Sequence, residues 1–230
     1  MGQLDGRAAL VVGGGSAFGR AVAVALAQAG AGVMVGCGDE AQGCAAVAAV
    51  AEAGRAAQHV LLDPTDPEQC ARAVAATIDA LGRIDVLVTR VVSPPRQRRL
   101  LHEIDESAWD DATRHVVLAA ALPVWHAQRA MKRQGGGSIV VVGSSAALVG
   151  VPGLAAFSAT AGALVNFTRS TAVDGHRAGV PVRVNCLSLG LDAPRWEEVA
   201  PTVVFLASDQ SKHVNGQIVA ADDGLTAWRD

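Results

Sequence analysis

The stretch Ala8-Ala9-Leu10-Val11-Val12-Gly13-Gly14-Gly15-Ser16-Ala17-Phe18-Gly19-Arg20 decides the fold of this chain. Its five apolar residues, Ala8–Val12, predict a buried strand, and the glycines after them predict a tight turn into a helix over Gly19–Ala29. A strand, a glycine-rich turn and a helix in this order are typical of a Rossmann βα unit, whose helix N-terminus faces a pyrophosphate. The alternative is a strand-to-helix turn that binds no ligand.

The same alternation of strand and helix continues along the chain. Strands are predicted at Ala8–Val12, Gly32–Gly36, Ala57–Leu62, Ile84–Thr89, Ser138–Val142, Val182–Leu187 and Gln217–Ala221. Helices are predicted at Gly19–Ala29, Asp39–Ala53, Pro67–Leu81, Ser107–Arg133, Ala155–Arg177 and Pro194–Ser208. Regular alternation favours a parallel sheet with helices on both faces. We therefore expect one α/β domain over residues 1–230, with a Rossmann-like doubly wound parallel sheet of about seven strands.

The composition argues against several classes of function. Half of the 230 residues are hydrophobic and 18% are charged, which is typical of a soluble globular chain. The net charge of -3 argues against a nucleic-acid partner. No apolar run reaches transmembrane length and the N-terminus lacks the pattern of a signal peptide, so we expect a cytoplasmic protein without membrane contact. The six histidines do not cluster, and the cysteines, Cys37, Cys44, Cys70 and Cys186, lack metal-ligand spacing, which predicts buried thiols and no metal site.

Motifs along nearly the whole chain resemble those of the short-chain dehydrogenase/reductase family. The turn Val12–Gly19 is similar to the family's TGxxxGxG motif, with Val12 in place of Thr and Ala17 in place of the middle glycine. Further similarities lie at Gly82–Val88, Ser138–Val140, Pro152–Ala156, Arg183–Asn185, Val203–Asp209, Asn215–Gln217 and Ala221–Gly224. The resemblance implies dinucleotide binding through Gly13, Ser16, Phe18, Gly19 and Asp63. For Asp63, which precedes Pro64, a purely turn-forming role is an equal alternative.

The family's catalytic residues are Asn, Ser, Tyr and Lys, and this chain contains no tyrosine. In the family the tyrosine transfers a proton, and a lysine ammonium favours its phenolate, since a free phenol titrates near pH ~10. The resemblance assigns the tyrosine position to Phe157, the lysine position to Ala161 and, counted from Trp109, the asparagine position to Val116. Ser144 retains the serine. The two lysines of the chain, Lys132 and Lys212, match none of these positions.

The predicted walls of the cofactor cleft also depart from the family. Thr89–Val92 replaces the family's NNAG, and Arg90 could close the cleft. The acidic ribose-binding position is Cys37, with Asp39 or Glu40 as an alternative if the loop shifts. Between Gly190 and Arg195, four residues replace a long substrate-covering segment. These departures predict no NAD(P) binding, or weak binding.

The leading functional hypothesis from the sequence is a non-catalytic subunit that pairs with an active relative. Such a hetero-oligomer, or a homo-oligomer, would use helices 107–133 and 155–177, unless their apolar faces pack on the chain's own sheet. A second hypothesis is an enzyme of altered chemistry that uses Ser144, Ser145, Thr160 or His115. A third is a dinucleotide-sensing regulator. The loop Arg90–Arg99 could bind a phosphate or a carboxylate, or simply be solvated.

Overall fold

The computed structural model of the chain describes residues 2–90, 98–191 and 195–227. Its strands are β1 Ala8–Val12, β2 Gly32–Cys37, β3 Ala57–Leu61, β4 Val86–Arg90, β5 Gly137–Ser144, β6 Val182–Leu189 and β7 Ile218–Ala221. Its α-helices are α1 Ala17–Gln28, α2 Glu40–Glu52, α3 Pro67–Leu81, α4 Glu106–Ala112, α5 Ala119–Gln134, α6 Ala155–Arg177 and α7 Trp196–Ala207. Each predicted strand and helix therefore has a counterpart, with ends that differ by a few residues.

Within the described residues, seven strands form one sheet in the order β3-β2-β1-β4-β5-β6-β7, with every neighbouring pair parallel. The order reverses between β1 and β4, where the chain crosses from one half of the sheet to the other. In doubly wound sheets ligands bind at the carboxyl ends of the strands beside such a reversal. The predicted α/β Rossmann-like fold is confirmed, and the candidate site lies at this edge.

Apolar side chains cover both faces of the sheet, which explains why its strands are apolar throughout rather than alternating. In β1, Leu10 and Val12 belong to one hydrophobic cluster, whereas Ala9 and Val11 belong to the other. The first cluster includes residues of α3, α5 and α6, and the second includes residues of α1, α2 and α7. The helices are thus divided between the two faces of the sheet.

The predicted helix Ser107–Arg133 is divided in the structure. A π-helical segment, Thr113–Leu118, separates α4 from α5. Pro123, which has no N–H to donate, lies early in α5, so the regular hydrogen-bond ladder is interrupted on both sides of Ala119. The predicted extent of the helix is confirmed, because these segments follow one another without a gap, but helical periodicity does not reveal the π-helical segment inside it.

The prediction that all four cysteines are buried was wrong for one of them. Cys37, Cys70 and Cys186 are buried, but Cys44 is exposed on α2. Burial raises the pKa of Cys70 and of Cys186 to about 12. Over the described part of the chain, no helix combines the length and apolarity needed to cross a bilayer.

Candidate active site and cofactor cleft

The positions that the resemblance assigns to tyrosine and lysine lie together in the first turns of α6. Phe157 and Ala161 are four residues apart, which places them on one face of the helix. Phe157 is 4% exposed and Ala161 is 1% exposed. Neither side chain can donate, accept or hold a proton.

Val116, at the asparagine position, lies in the π-helical segment and is buried. Phe157 and Val116 belong to the same hydrophobic cluster. An isolated π turn inside a helix is frequent at functional sites, so the backbone irregularity is present although the polar side chain is not. Both of these side chains, Phe157 and Val116, are therefore part of the hydrophobic core.

Ser144 is the residue that the resemblance assigns to the family's serine position. It ends β5, is buried, and its Oγ accepts a hydrogen bond of 3.3 Å from the backbone N–H of Ala146. The same contact caps the short 3₁₀ helix Ser145–Ala147. Ser144 therefore has a structural role in starting the segment that follows β5.

The other polar residues considered for an altered chemistry do not form a proton relay with Ser144. The Thr160 hydroxyl donates within its own helix, to the carbonyl oxygens of Ala156 at 2.9 Å and Phe157 at 3.0 Å. His115 is exposed, and its Nδ1 lies 3.0 Å from the carbonyl oxygen of Asp111. The Ser145 hydroxyl is fully buried and has no hydrogen-bond partner among the described residues.

The glycine-rich turn is explained by the protein's own packing. Gly13 has φ of 71°, a left-handed conformation that glycine adopts without strain. A Cβ on Gly14 would lie 2.5 Å from Val35 Cγ1, and a Cβ on Gly19 would lie 2.4 Å from the Gly13 carbonyl oxygen. Because these close approaches are internal, the glycines are required whether or not a dinucleotide binds.

Ser16 caps α1 at the end of this turn. Its Oγ donates to the Gly13 carbonyl oxygen at 2.8 Å and accepts from the Gly19 N–H at 3.1 Å. Phe18 is buried and packs edge-on against Trp196 at the start of α7, with ring centroids 5.3 Å apart. This contact joins the first turns of α1 and α7.

The adenosine end of the cleft lacks a free acidic side chain at the ribose position. Cys37 ends β2 there, and burial raises the pKa of its thiol, with a further increase from Asp39 and Glu40. The Asp39 carboxylate caps α2 by accepting from the Gln42 N–H at 2.8 Å. The Asp63 carboxylate accepts from the Thr65 N–H and hydroxyl, both at 2.8 Å, which are the contacts of a turn-forming residue.

Of the residues along the predicted cofactor cleft, only those of the glycine-rich turn fit a dinucleotide, at its pyrophosphate. The helix N-terminus of α1 follows a glycine turn, as the family's cofactor requires, but Ala17 replaces the middle glycine and Cys37 replaces the ribose acid. Phe157 and Ala161, at the positions that the resemblance assigns to the tyrosine and the lysine, carry no group that transfers a proton. No reaction step through a nicotinamide follows from this arrangement.

Several predictions about the cleft lie outside the described residues. Thr89 is described and buried at the end of β4, but the side chain of Arg90 and all of Val91 and Val92 are not. Residues 192–194 of the connection after β6 are not described either. Beside that connection, an open cavity of about 560 Å³ lies between α7 and the end of β7, and Ser144, Phe157 and Ala161 are not among its described lining residues.

Half of the apolar face predicted for assembly is buried within the chain. Val116, Ala120 and Val124 belong to the chain's own hydrophobic core. Leu118 and Trp125 are exposed, Trp125 by 50%, and the Arg129 guanidinium lies 5.2 Å from the Trp125 ring centre. Trp109, Leu118 and Trp125, called here the α4–α5 surface, are large apolar residues of this segment that remain accessible.

One group of potential metal ligands was not predicted from the sequence. Over residues 2–90, 98–191 and 195–227, Glu40, Cys44 and His59 form a group whose ligand atoms all lie within 4.8 Å of one another. The i,i+4 spacing of Glu40 and Cys44 was the available signal, but His59 comes from a different element. The sequence predicted no metal site because its cysteines and histidines lack ligand spacing, and the pairing of β3 with β2 is what places His59 beside Cys44.

Comparisons with known proteins agree with the fold and the motifs. Residues 7–198 match the model of the short chain dehydrogenase family. The chain is 35% identical to a cis-4-hydroxycyclohexanecarboxylate dehydrogenase of Sinomonas cyclohexanicum, over 96% of this chain and 97% of that protein. It is 31% identical to a gluconate 5-dehydrogenase of Gluconobacter oxydans, over 97% of this chain and 96% of that protein.

A solved structure gives the same result in three dimensions. A short-chain type dehydrogenase/reductase from Mycobacterium marinum superposes with a TM-score of 0.91 at 26% identity, covering 98% of this chain and 97% of that one. The agreement extends over nearly all of both chains, so it includes the sheet and the helices that surround the candidate site. The chain belongs to the short chain dehydrogenase family.

Proposed function

We propose that this protein has no dehydrogenase activity of its own and serves as a non-catalytic subunit that assembles with a catalytically competent relative. The observation that carries the proposal is the apolar replacement of the proton-transfer pair by Phe157 and Ala161, both buried on one face of α6. The family typically binds NAD(P), and we propose that binding here is absent or weak.

The chemical reason is the loss of every group that could move the proton. Removing one positioned acid or base commonly costs a factor of about 10²–10⁴ in rate. Here the phenol, the ammonium that would tune it and the amide at Val116 are all replaced by hydrocarbon. Ser144 could donate a hydrogen bond to a substrate oxygen, but a neutral hydroxyl alone does not supply a proton at neutral pH.

A turnover assay tests the loss of activity directly. The isolated chain is mixed with NADH or NADPH and carbonyl compounds, or with the oxidised cofactors and alcohols, including cis-4-hydroxycyclohexanecarboxylate and gluconate, the substrates named for two relatives. The gluconate 5-dehydrogenase serves as the active control. We expect no turnover by this chain. Robust turnover would overturn the proposal, and loss of that turnover in Ser144→Ala would support the altered-chemistry hypothesis instead.

The α4–α5 surface supports the assembly part of the proposal. Trp109, Leu118 and Trp125 are large apolar side chains, and each is more than a third exposed. Leu118 and Trp125 are about two helical turns apart and so share one face of α5. Exposed apolar side chains that share a face mark interaction surfaces more often than scattered single ones do. A relative with the same fold would present a similar pair of helices to them.

Co-purification from the native source tests the assembly. We expect a co-eluting relative that carries Tyr and Lys at the positions of Phe157 and Ala161. Trp125→Glu should abolish co-elution, whereas Leu61→Glu, which changes an equally exposed apolar residue on the edge strand β3, should not. Elution of the chain without any such relative, or equal co-elution of both variants, would contradict the proposal.

A second candidate function is binding of a dinucleotide without turnover, as in a sensor. It is favoured by three fully or nearly fully buried hydroxyls, on Thr89, Ser145 and Ser188, that have no hydrogen-bond partner among the described residues. They lie at the carboxyl ends of β4, β5 and β6, where ligands bind in this fold. Calorimetry with oxidised and reduced cofactors tests this candidate, which predicts a measurable heat of binding. Thr89→Val should reduce that heat, whereas Thr168→Val, which removes an equally buried hydroxyl in α6, should not. No heat at high cofactor concentration would remove this candidate.

A further inference from the structure

The N-terminal turns of α2 and the edge strand β3 bring three different metal-binding side chains together. Glu40 and Cys44 are four residues apart on α2, and His59 lies in β3. His59 Nε2 is 2.9 Å from Glu40 Oε1. The carboxylate oxygen, the thiol sulfur and the imidazole nitrogen all lie within 4.8 Å of one another.

Gly43 is what allows this approach. A Cβ at Gly43 would lie 2.4 Å from His59 Cδ2 and 2.9 Å from Cys37 Sγ. A glycine inside a helix lowers the stability of the helix by roughly 0.5–1 kcal/mol relative to alanine. At Gly43 this cost accompanies a close approach of α2 to the imidazole ring of His59, which a Cβ would block. The glycine lets α2 lie close enough to β3 for Glu40 and Cys44 to flank His59.

The surroundings of the three side chains carry negative charge. Asp39 and Glu40 are adjacent in sequence at the start of α2. Burial raises the pKa of Cys37 beneath them, and the charges of Asp39 and Glu40 raise it further.

We propose that Glu40, Cys44 and His59 bind one divalent cation of the zinc class, with water as the fourth ligand. Zinc takes sulfur, nitrogen and oxygen ligands at about 2.0–2.3 Å in a tetrahedron, which separates neighbouring ligand atoms by roughly 3.3–3.6 Å. The Glu40–His59 separation of 2.9 Å must widen slightly, and the separations to the Cys44 sulfur, at most 4.8 Å, must shorten by up to about 1.2 Å. The exposed Glu40 and Cys44 side chains can make both adjustments by rotation. Calcium and magnesium prefer oxygen ligands throughout, so this mixed set selects against them.

The bound cation would join the start of α2 to the edge strand β3. This inference does not depend on the proposed function, because it concerns residues outside the positions of Ser144, Phe157, Ala161 and Val116. A cation that binds the folded chain also raises its thermal stability in proportion to the logarithm of its concentration. The site therefore has a readout that needs no enzymatic activity.

The test uses the full chain, reduced and freed of metal, titrated with zinc by calorimetry and with cobalt by absorption spectroscopy. We expect one zinc per chain, tetrahedral cobalt bands with a thiolate charge-transfer band, and a zinc-dependent rise in melting temperature. Cys44→Ser and His59→Ala should each weaken binding at least tenfold, since even changes to groups that only orient metal ligands commonly cost about 10–100-fold. Glu40→Gln should weaken it too.

Two exposed residues provide matched controls. Glu52→Gln changes a carboxylate at the other end of α2, and His176→Ala changes an exposed histidine in the last turn of α6. Both should bind zinc as the unaltered chain does. Absence of zinc binding by the unaltered chain would overturn the proposal. Equal affinity in His59→Ala, with loss only in Cys44→Ser, would also overturn it, because a lone thiol rather than the three-residue site would then bind the metal.

Discussion

Gly19→Ala is expected to destabilise the protein in the absence of any dinucleotide. The new Cβ would lie 2.4 Å from the Gly13 carbonyl oxygen and 2.4 Å from Gly14 Cα. Both obstacles are backbone atoms of the glycine-rich turn, so no side-chain rotation relieves the contact. The turn or the start of α1 would have to move.

The size of the effect follows from two opposing contributions. Overpacking a closely packed site costs about 1–3 kcal/mol, and backbone obstacles place this case in the upper part of that range. Replacing glycine in a helix recovers about 0.5–1 kcal/mol of conformational entropy. The free energy of unfolding should therefore fall by about 1–2 kcal/mol, which lowers the melting temperature by roughly 2–8 °C for a chain of this length.

Gly162→Ala in α6 is the matched control. A Cβ at Gly162 meets no atom within 4 Å, so this variant should keep the entropy gain and raise the free energy of unfolding by about 0.5–1 kcal/mol. Urea unfolding of both variants without cofactor gives the two free energies. A Gly19→Ala variant as stable as the unaltered chain would refute the internal-packing explanation of the turn.

Two further predictions concern stability and titration. Asp85→Asn should lower the free energy of unfolding by about 1.5–3 kcal/mol in urea titrations, because the buried carboxylate accepts hydrogen bonds from Arg83 at 2.6 and 2.7 Å. Asp209 is exposed and its contacts are 3.3 Å long, so Asp209→Asn should change the free energy of unfolding little. Equal effects of the two substitutions would contradict this prediction. Because the pKa of Cys70 and of Cys186 is raised from 9.0 to about 12 in the folded chain, the stability they contribute is fully present below pH 9.0 and is lost as pH rises toward about 12. Urea titrations across that range check the fall, and a free energy of unfolding that rises there would show the sign to be wrong.

Much of the fold could be predicted because the relevant signals are local. The apolar run Ala8–Val12 and the turn after it form β1 and the start of α1 as expected, since strand burial and helix capping depend on adjacent residues. Asp66 before Pro67 begins α3, with its carboxylate accepting from the Glu68 N–H at 2.8 Å. The division of the helix at Thr113–Leu118 was missed, because one widened turn leaves no periodic signal.

The candidate site, like the fold, could be predicted from the sequence only in part. The sequence alone predicts which side chains occupy the family's catalytic positions, because the resemblance assigns these positions to Phe157, Ala161 and Val116 without coordinates. Only the tertiary structure placed Phe157 and Val116 in one hydrophobic cluster and thereby made these positions part of the core. Burial is a sum over contacts from distant parts of the chain, and no local pattern contains it.

The missing tyrosine and the group formed by Glu40, Cys44 and His59 differ in the same respect, because only the first is visible in the sequence. The absence of tyrosine is a property of composition and is complete in the sequence. The approach of His59 to α2 requires the parallel pairing of β2 with β3 and the missing Cβ of Gly43. Residue identity determined that the chain offers no tyrosine for proton transfer, and long-range packing decided which side chains lie together.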